Sequence, residues 1–187
     1  MTRTVKPVTE EYKEKALDLV EKVFTNFYNR HEGKIMRGVV KEIRSKKYYV
    51  PELEFMAVDE NGEIIGYAMF SRFHIEGRYD DELLILTPVA VKTELQRQHI
   101  SKDIIEYGLA KAKELGYKAV LVEGNPDNFN ARGFVTAADY GIVEGDTMQL
   151  PMIECLMVCE LVPGALENIH GAVDYTFYRS LHGELVE

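Results

Sequence analysis

The sequence predicts a mixed α/β fold, α+β in some schemes, and three features carry that prediction. In FMAVDENGEIIGYAMFSRFHI, two apolar segments, Phe55 to Val58 and Ile64 to Phe73, flank Asp59-Glu60-Asn61-Gly62. Asn-Gly between alternating strands is a hairpin turn. Leu83 to Val91 is a nearly unbroken apolar run, as expected of a strand buried on both faces. A second such run, Lys118 to Gly124, follows it across a helix-length amphipathic stretch. Strand, helix and parallel strand make a βαβ unit beside the antiparallel hairpin.

The remaining elements fall into place around these. TVKPV reads as a short first strand, and Thr9 as an N-cap with Glu10 and Glu11 in the favourable first turn. Ala16, Val20, Val23, Phe24 and Phe27 follow helical spacing and mark one apolar face. A second helix is expected from about Ile35 to Ser45, with a solvated basic face. Gly77 to Asp81 is a polar loop. The helix after Ser101 turns Ile104, Ile105, Leu109 and Ala112 inward and stops at Gly116. A short helix from about Asn128 leads to Gly133-Phe134, and Met152 to Val162 forms the last long strand. The tail carries Tyr175, Phe177, Tyr178 and Leu181, which either pack on the core or serve a homodimer contact.

At 187 residues the chain is expected to be one domain, 1–187, with 165–187 as a C-terminal extension. Apolar content of 46% and charged content of 28% belong to a globular protein, not a disordered one. No apolar run reaches the roughly 20 residues of a membrane span, and the N-terminus has no signal-peptide core. A cytoplasmic location without membrane partner is the expectation. The net charge of −9 argues against nucleic acid and leaves two readings, attraction of a cationic amine or solubility alone. Cys155 and Cys159 are four apart in a predicted strand, about 13 Å when extended and too far for a disulfide. Five scattered His and no Cys-x-x-Cys leave no ligand spacing, so no metal is expected.

Chemistry concentrates where the buried strand enters the helix. The first amides of a helix lack internal partners and carry positive partial charge, so a helix start at a sheet edge can seat a phosphate. Here the loop is Gln96-Arg97-Gln98-His99-Ile100-Ser101. With EGNPDNFNARGFVTAADYGI and CELVPGAL further on, it resembles the GNAT superfamily, the acyl-CoA-dependent N-acyltransferases. More closely, it resembles a subgroup with an ELVPGAL-type strand end. The loop pattern there is Gln/Arg-x-x-Gly-x-Gly/Ala, and this chain departs from it at His99 and Ser101. The resemblance implies a mixed, mostly antiparallel sheet splayed between its fourth and fifth strands and flanked by helices. It also implies transfer of an acetyl group from acetyl-CoA to a small-molecule or peptide amine, directly in a ternary complex. The alternative is a catalytically degenerate GNAT-fold protein that binds CoA or another ligand.

Carried over residue by residue, the resemblance assigns the pantetheine arm and thioester carbonyl to the backbone of Val89, Ala90 and Val91. The pyrophosphate falls to the amides from Arg97 through Gln98, His99, Ile100 and Ser101 to Lys102, with charge from Arg97 and Lys102. An ordinary helix start without ligand is the competing reading. If His99 must adopt positive φ, strain of about 1 kcal/mol follows. Pro88 marks either the splay or a plain edge position. Asn125 and Asn128 are either cofactor contacts or turn and cap residues. The tyrosine that protonates the leaving thiolate is expected within the pair falling on Asn128-Phe129, and neither residue is an acid. Tyr140 is the nearby phenol, and Glu82 and Glu123 are candidate bases, each otherwise a solvated strand-end carboxylate.

Overall fold

The computed structural model describes residues 2–176 and 178–182. Among the described residues nine strands are present: β1 (Arg3–Pro7), β2 (Glu54–Asp59), β3 (Ile64–Arg72), β4 (Leu83–Val91), β5 (Ala119–Glu123), β6 (Phe134–Thr136), β7 (Ile142–Glu144), β8 (Leu156–Glu160) and β9 (Gly171–Val173). Four α-helices accompany them: α1 (Lys13–Phe27), α2 (Arg30–Arg44), α3 (Ile100–Glu114) and α4 (Pro126–Phe129). Seven strands form one sheet in the order β1-β2-β3-β4-β5-β8-β6, and β7 pairs with β9. Only the β4–β5 pair in the large sheet is parallel; Lys92 N–H to Ile65 O and Phe73 N–H to Leu83 O bracket an antiparallel β3–β4 ladder. The predicted class and the mostly antiparallel sheet are both present.

The chain divides into two compact units. In the first (residues 2–70, 87–108 and 178–182), the β2–β3 hairpin is covered on both faces. Gly66 lies so close to α3 that an added Cβ would stand 2.6 Å from Ile104 and 2.7 Å from Ile100. Gly108 lets the same helix approach the Phe70 ring, 2.2 Å from where its Cβ would be. On the opposite face of the hairpin, buried Glu54 accepts from Arg44 at 2.5 Å, Tyr49 at 2.6 Å and Tyr67 at 2.7 Å. That network fastens α2 to the sheet. Burial, with Glu54 beside them, pushes both phenols up.

The second unit (residues 71–86 and 109–176) holds the first half of β4, then β5, β8 and β6, and the small β7–β9 pair. β4 and β5 share the register Leu83↔Ala119 to Ile85↔Leu121. Among the described residues this pairing ends there, two residues before Pro88's neighbour Thr87 and short of the ends of both strands.

Several local expectations change. Thr9 stands before a 3₁₀ turn (Glu10–Tyr12) and its hydroxyl caps nothing, so α1 begins at Lys13. Phe27 is 70% exposed, outside the buried face of Ala16, Leu17, Leu19, Val20 and Val23. α2 begins five residues before Ile35 because Asn29 caps it, its side chain accepting from His31 and Glu32 amides. The short helix α4 starts at Pro126, and Leu109 on α3 is only half-buried. The last long strand shortens to β8, since 153–155 form a 3₁₀ turn.

In the tail, β9 pairs with β7, Tyr178 is buried, and Leu181 is 37% exposed; Phe177 lies outside the described residues. Buried Glu42 of α2 accepts from the amides of Arg179 and Ser180, from the Ser180 hydroxyl, and from Lys46. Burial alone would raise this carboxyl, yet the bonds from Lys46, Ser180 and Arg179 prevail and hold it at about 2.

Candidate active site

Two stretches carry the residues singled out from the sequence. The first lies in the N-terminal unit and runs from the second half of β4 into α3. Val89 is half-buried, while Ala90 and Val91 are buried. After β4 a 3₁₀ turn (Thr93–Leu95) is tied to the end of α1 by Asn26 donating to Thr93 at 3.1 Å. Arg97 and His99 then both adopt left-handed backbone, with φ of 62° and 61°. An anion nest alternates left-handed with right-handed residues, and positive φ at Arg97 and His99 meets the left-handed half of that pattern. His99's carbonyl accepts from Asp103 N–H at 3.1 Å. The helical ladder therefore begins at Asp103, and the amides of Ile100, Ser101 and Lys102 project from the helix start.

The start of α3 is pinned. Arg3 on β1 reaches Asp103 through Nε at 2.7 Å and a terminal nitrogen at 2.6 Å, and Ile100 and Ile104 fill the space over Gly66. Arg97, Gln98 and His99 are exposed, and Ser101 is half-buried. Lys102 stands 3.9 Å from Glu106 with both side chains 49% exposed, so its charge remains available to an anion. The left-handed backbone at His99 is the conformation a glycine would favour. At Arg97 the same conformation had no signal in the sequence.

The second stretch lies in the other unit. Glu123 ends β5, is exposed, and accepts from the Tyr175 hydroxyl at 2.9 Å. Gly124 N–H bonds to Cys155 O at 2.9 Å. Asn125 caps α4, its side-chain oxygen accepting from Asp127 N–H at 3.0 Å, and Asn128 is exposed on α4. Glu82 sits at the opposite end of this strand pair, 2.8 Å from Lys118, with side chains 41% and 45% exposed. Tyr140 is exposed in a 3₁₀ turn (Ala137–Tyr140) between β6 and β7. The fold thus separates Glu82 from Glu123 along β5, and among the described residues no hydrogen bond joins Tyr140 to either. Cys155 and Cys159 are both free and buried; burial, then the charge of Glu160, pushes the Cys159 thiol to about 11, so it is not a ready nucleophile. Among the described residues no helix is long and apolar enough to cross a membrane.

A parallel pair that parts and a turn into a helix are features that the resemblance to the GNAT superfamily implies. Residues 14–140 match the Acetyltransferase (GNAT) family, and the chain is a member of that family. A curated relative, the uncharacterized N-acetyltransferase YhbS of Escherichia coli strain K12, is 30% identical over 124 residues, covering 66% of this chain and 71% of its own length. The crystal structure of E. coli YhbS in complex with CoA superposes with a TM-score of 0.80 at 22% identity, covering 95% of this chain and 91% of that one. A GNAT acetyltransferase from Brucella melitensis in complex with acetyl-CoA gives 0.72 at 19% identity, covering 95% and 98%. At these identities the two structures show a shared fold.

Proposed function

We propose that this protein transfers an acetyl group from acetyl-CoA to an amine, directly and in a ternary complex. One observation carries the reading: the paired left-handed residues Arg97 and His99 lead into a helix start whose first three amides are free of the helical ladder. A pyrophosphate needs several converging N–H donors, and backbone amides supply them whatever the side chains. In this reading the amides from Arg97 to Lys102 hold the pyrophosphate, and Arg97 and Lys102 add charge. The end of β4 at Val89, Ala90 and Val91 offers backbone to the pantetheine arm and to the thioester carbonyl. Asn125 and Asn128 lie after β5 for polar contacts with the same cofactor. The complexes of the two similar structures with CoA and acetyl-CoA support the choice of cofactor.

The acceptor loses a proton as its nitrogen attacks, and the thiolate gains one as it leaves. Glu123 at the end of β5 is the candidate for the first role; Glu82 is engaged by Lys118, and Tyr140 stands apart in its turn. A second reading, a CoA-binding protein without transfer, is favoured by Asn128 and Phe129 standing where an acid tyrosine is expected. The test is thiol release from acetyl-CoA in the presence of a panel of polyamines, amino acids and N-terminal peptides, with CoA binding measured in parallel. Amine-dependent thiol release is expected. Binding without release on every acceptor would favour the second reading.

A further inference from the structure

Tyr175 is fixed on three sides within the second unit. Its N–H donates to Thr147 Oγ1 at 2.8 Å, and Thr147 donates to Asp174 Oδ1 through its amide at 2.9 Å and its hydroxyl at 2.7 Å. Those two bonds lower the Asp174 carboxyl and keep it an acceptor. The Tyr175 ring meets Phe73 edge-on, with centroids 6.2 Å apart. Its hydroxyl donates to Glu123 Oε2 at 2.9 Å.

These partners locate the phenol relative to the strands. Phe73 follows β3 and bonds to Leu83 of β4, whose register partner on β5 is Ala119. Glu123 ends β5, on the far side of β4 from β3. Tyr175 therefore links Phe73, just past β3, to Glu123 at the end of β5. Glu123 also stands two residues past Leu121, the last β5 residue paired with β4. The hydroxyl is thus carried to the end of β5 just beyond the point where the parallel pair parts.

We infer that Tyr175 is the acid that protonates the departing CoA thiolate, and that Glu123 returns its proton; this rests on the acetyltransferase reading above. As the amine nitrogen bonds to the thioester carbon, the C–S bond breaks and sulfur leaves with its electron pair. Sulfur takes the Tyr175 proton. The nitrogen, cationic after attack, gives its surplus proton to Glu123, and Glu123 passes it to the Tyr175 phenolate along their hydrogen bond. The net change is one proton moved from amine to sulfur, with both side chains restored. A phenol titrates near 10 and a thiol near 8.5, so an unaided phenol would donate against a gradient of about thirtyfold. A carboxylic acid beside the phenolate removes that opposition. The phenol missing at Asn128 and Phe129 is in this way supplied from the tail.

Tyr175→Phe and Glu123→Gln in the full chain test the relay, with acetyl-CoA and the best primary amine of the panel as probes. Tyr175→Phe is expected to lower kcat by about 10²- to 10⁴-fold with unchanged CoA-dependent thermal stabilisation. The alkaline fall of the wild-type pH profile, set by the phenol, is expected to disappear. Glu123→Gln, nearly isosteric, is expected to lower kcat with unchanged CoA-dependent thermal stabilisation. A Tyr175→Phe protein that transfers at close to the wild-type rate would overturn the relay and leave the acetyltransferase reading intact. Equal loss of CoA stabilisation and activity would make Tyr175 a structural anchor and also overturn it. A wild-type protein that neither binds CoA nor acetylates any amine would remove both readings together.

Discussion

The loop before α3 and the turn after β5 both carry other residues than the resemblance leads one to expect, and the two differences are unlike in kind. At the loop, His99 and Ser101 stand in place of small residues, and the backbone still takes the left-handed turns that orient the amides. In the proposed reading, anion binding there falls to N–H groups that every residue but proline possesses, so substitution would cost strain and not function. After β5, the resemblance leads one to expect an acid at Asn128 or Phe129 on α4, and no backbone group can donate a proton of suitable acidity. In the proposed reading a different side chain is brought in. Main-chain chemistry tolerates sequence change that side-chain chemistry does not.

Four changes would break or sharpen that contrast. The largest effect is expected from Glu42→Ala, which removes the carboxylate that accepts from Lys46, from the Ser180 hydroxyl and from the Arg179 and Ser180 amides in the 3₁₀ turn Arg179–His182; about 3 kcal/mol of stability should go. The carboxyl's folded value of about 2 lies below its ordinary 4.5. Its contribution is therefore full above pH 4.5 and lost as pH falls through 2, and the gap between wild type and Glu42→Gln in chemical denaturation should close over that window. Ser101→Asp should cost about 100-fold in CoA affinity by setting a carboxylate against phosphate, measured by calorimetry. The same change should leave the fold slightly more stable, by about 0.5 kcal/mol, because an anion suits a helix start.

Gly108→Ala should cost about 2 kcal/mol, since its methyl would overlap the Phe70 ring and displace α3. Smallest is His99→Gly. It should relieve left-handed strain of about 1 kcal/mol, offset in part by unfolded-chain entropy, and leave CoA affinity equal or better. Weakened CoA binding in that variant would mean that the imidazole, not the backbone, does the work.

The hairpin, β4, β5 and the Gly116 stop were legible because each rests on a local pattern, alternation or an apolar run closed by a turn residue. The early start of α2 was missed by following the apolar spacing from Ile35, although Asn29 stands where it caps the helix. Phe27 shows the limit: helical periodicity places it on the apolar stripe, but the stripe ends where α1 leaves its neighbours. Among site residues, positive φ at His99 falls where the loop motif has its first small residue. The Glu123–Tyr175 bond joins residues 52 apart, and no spacing in the chain announces a contact made only by the return of the tail. For the same reason the left-handed Arg97 was invisible, since nothing in an arginine demands that conformation.

The central claim, that the turn at Arg97 and His99 still cradles a pyrophosphate, is tested most directly by thermal unfolding of the wild-type protein with and without saturating acetyl-CoA. A ligand at 100-fold over its Kd that binds only the folded state adds about 2.7 kcal/mol, and a rise of several degrees in Tm is expected, abolished in Ser101→Asp. An unchanged Tm at millimolar acetyl-CoA would contradict the claim and the acetyltransferase reading with it.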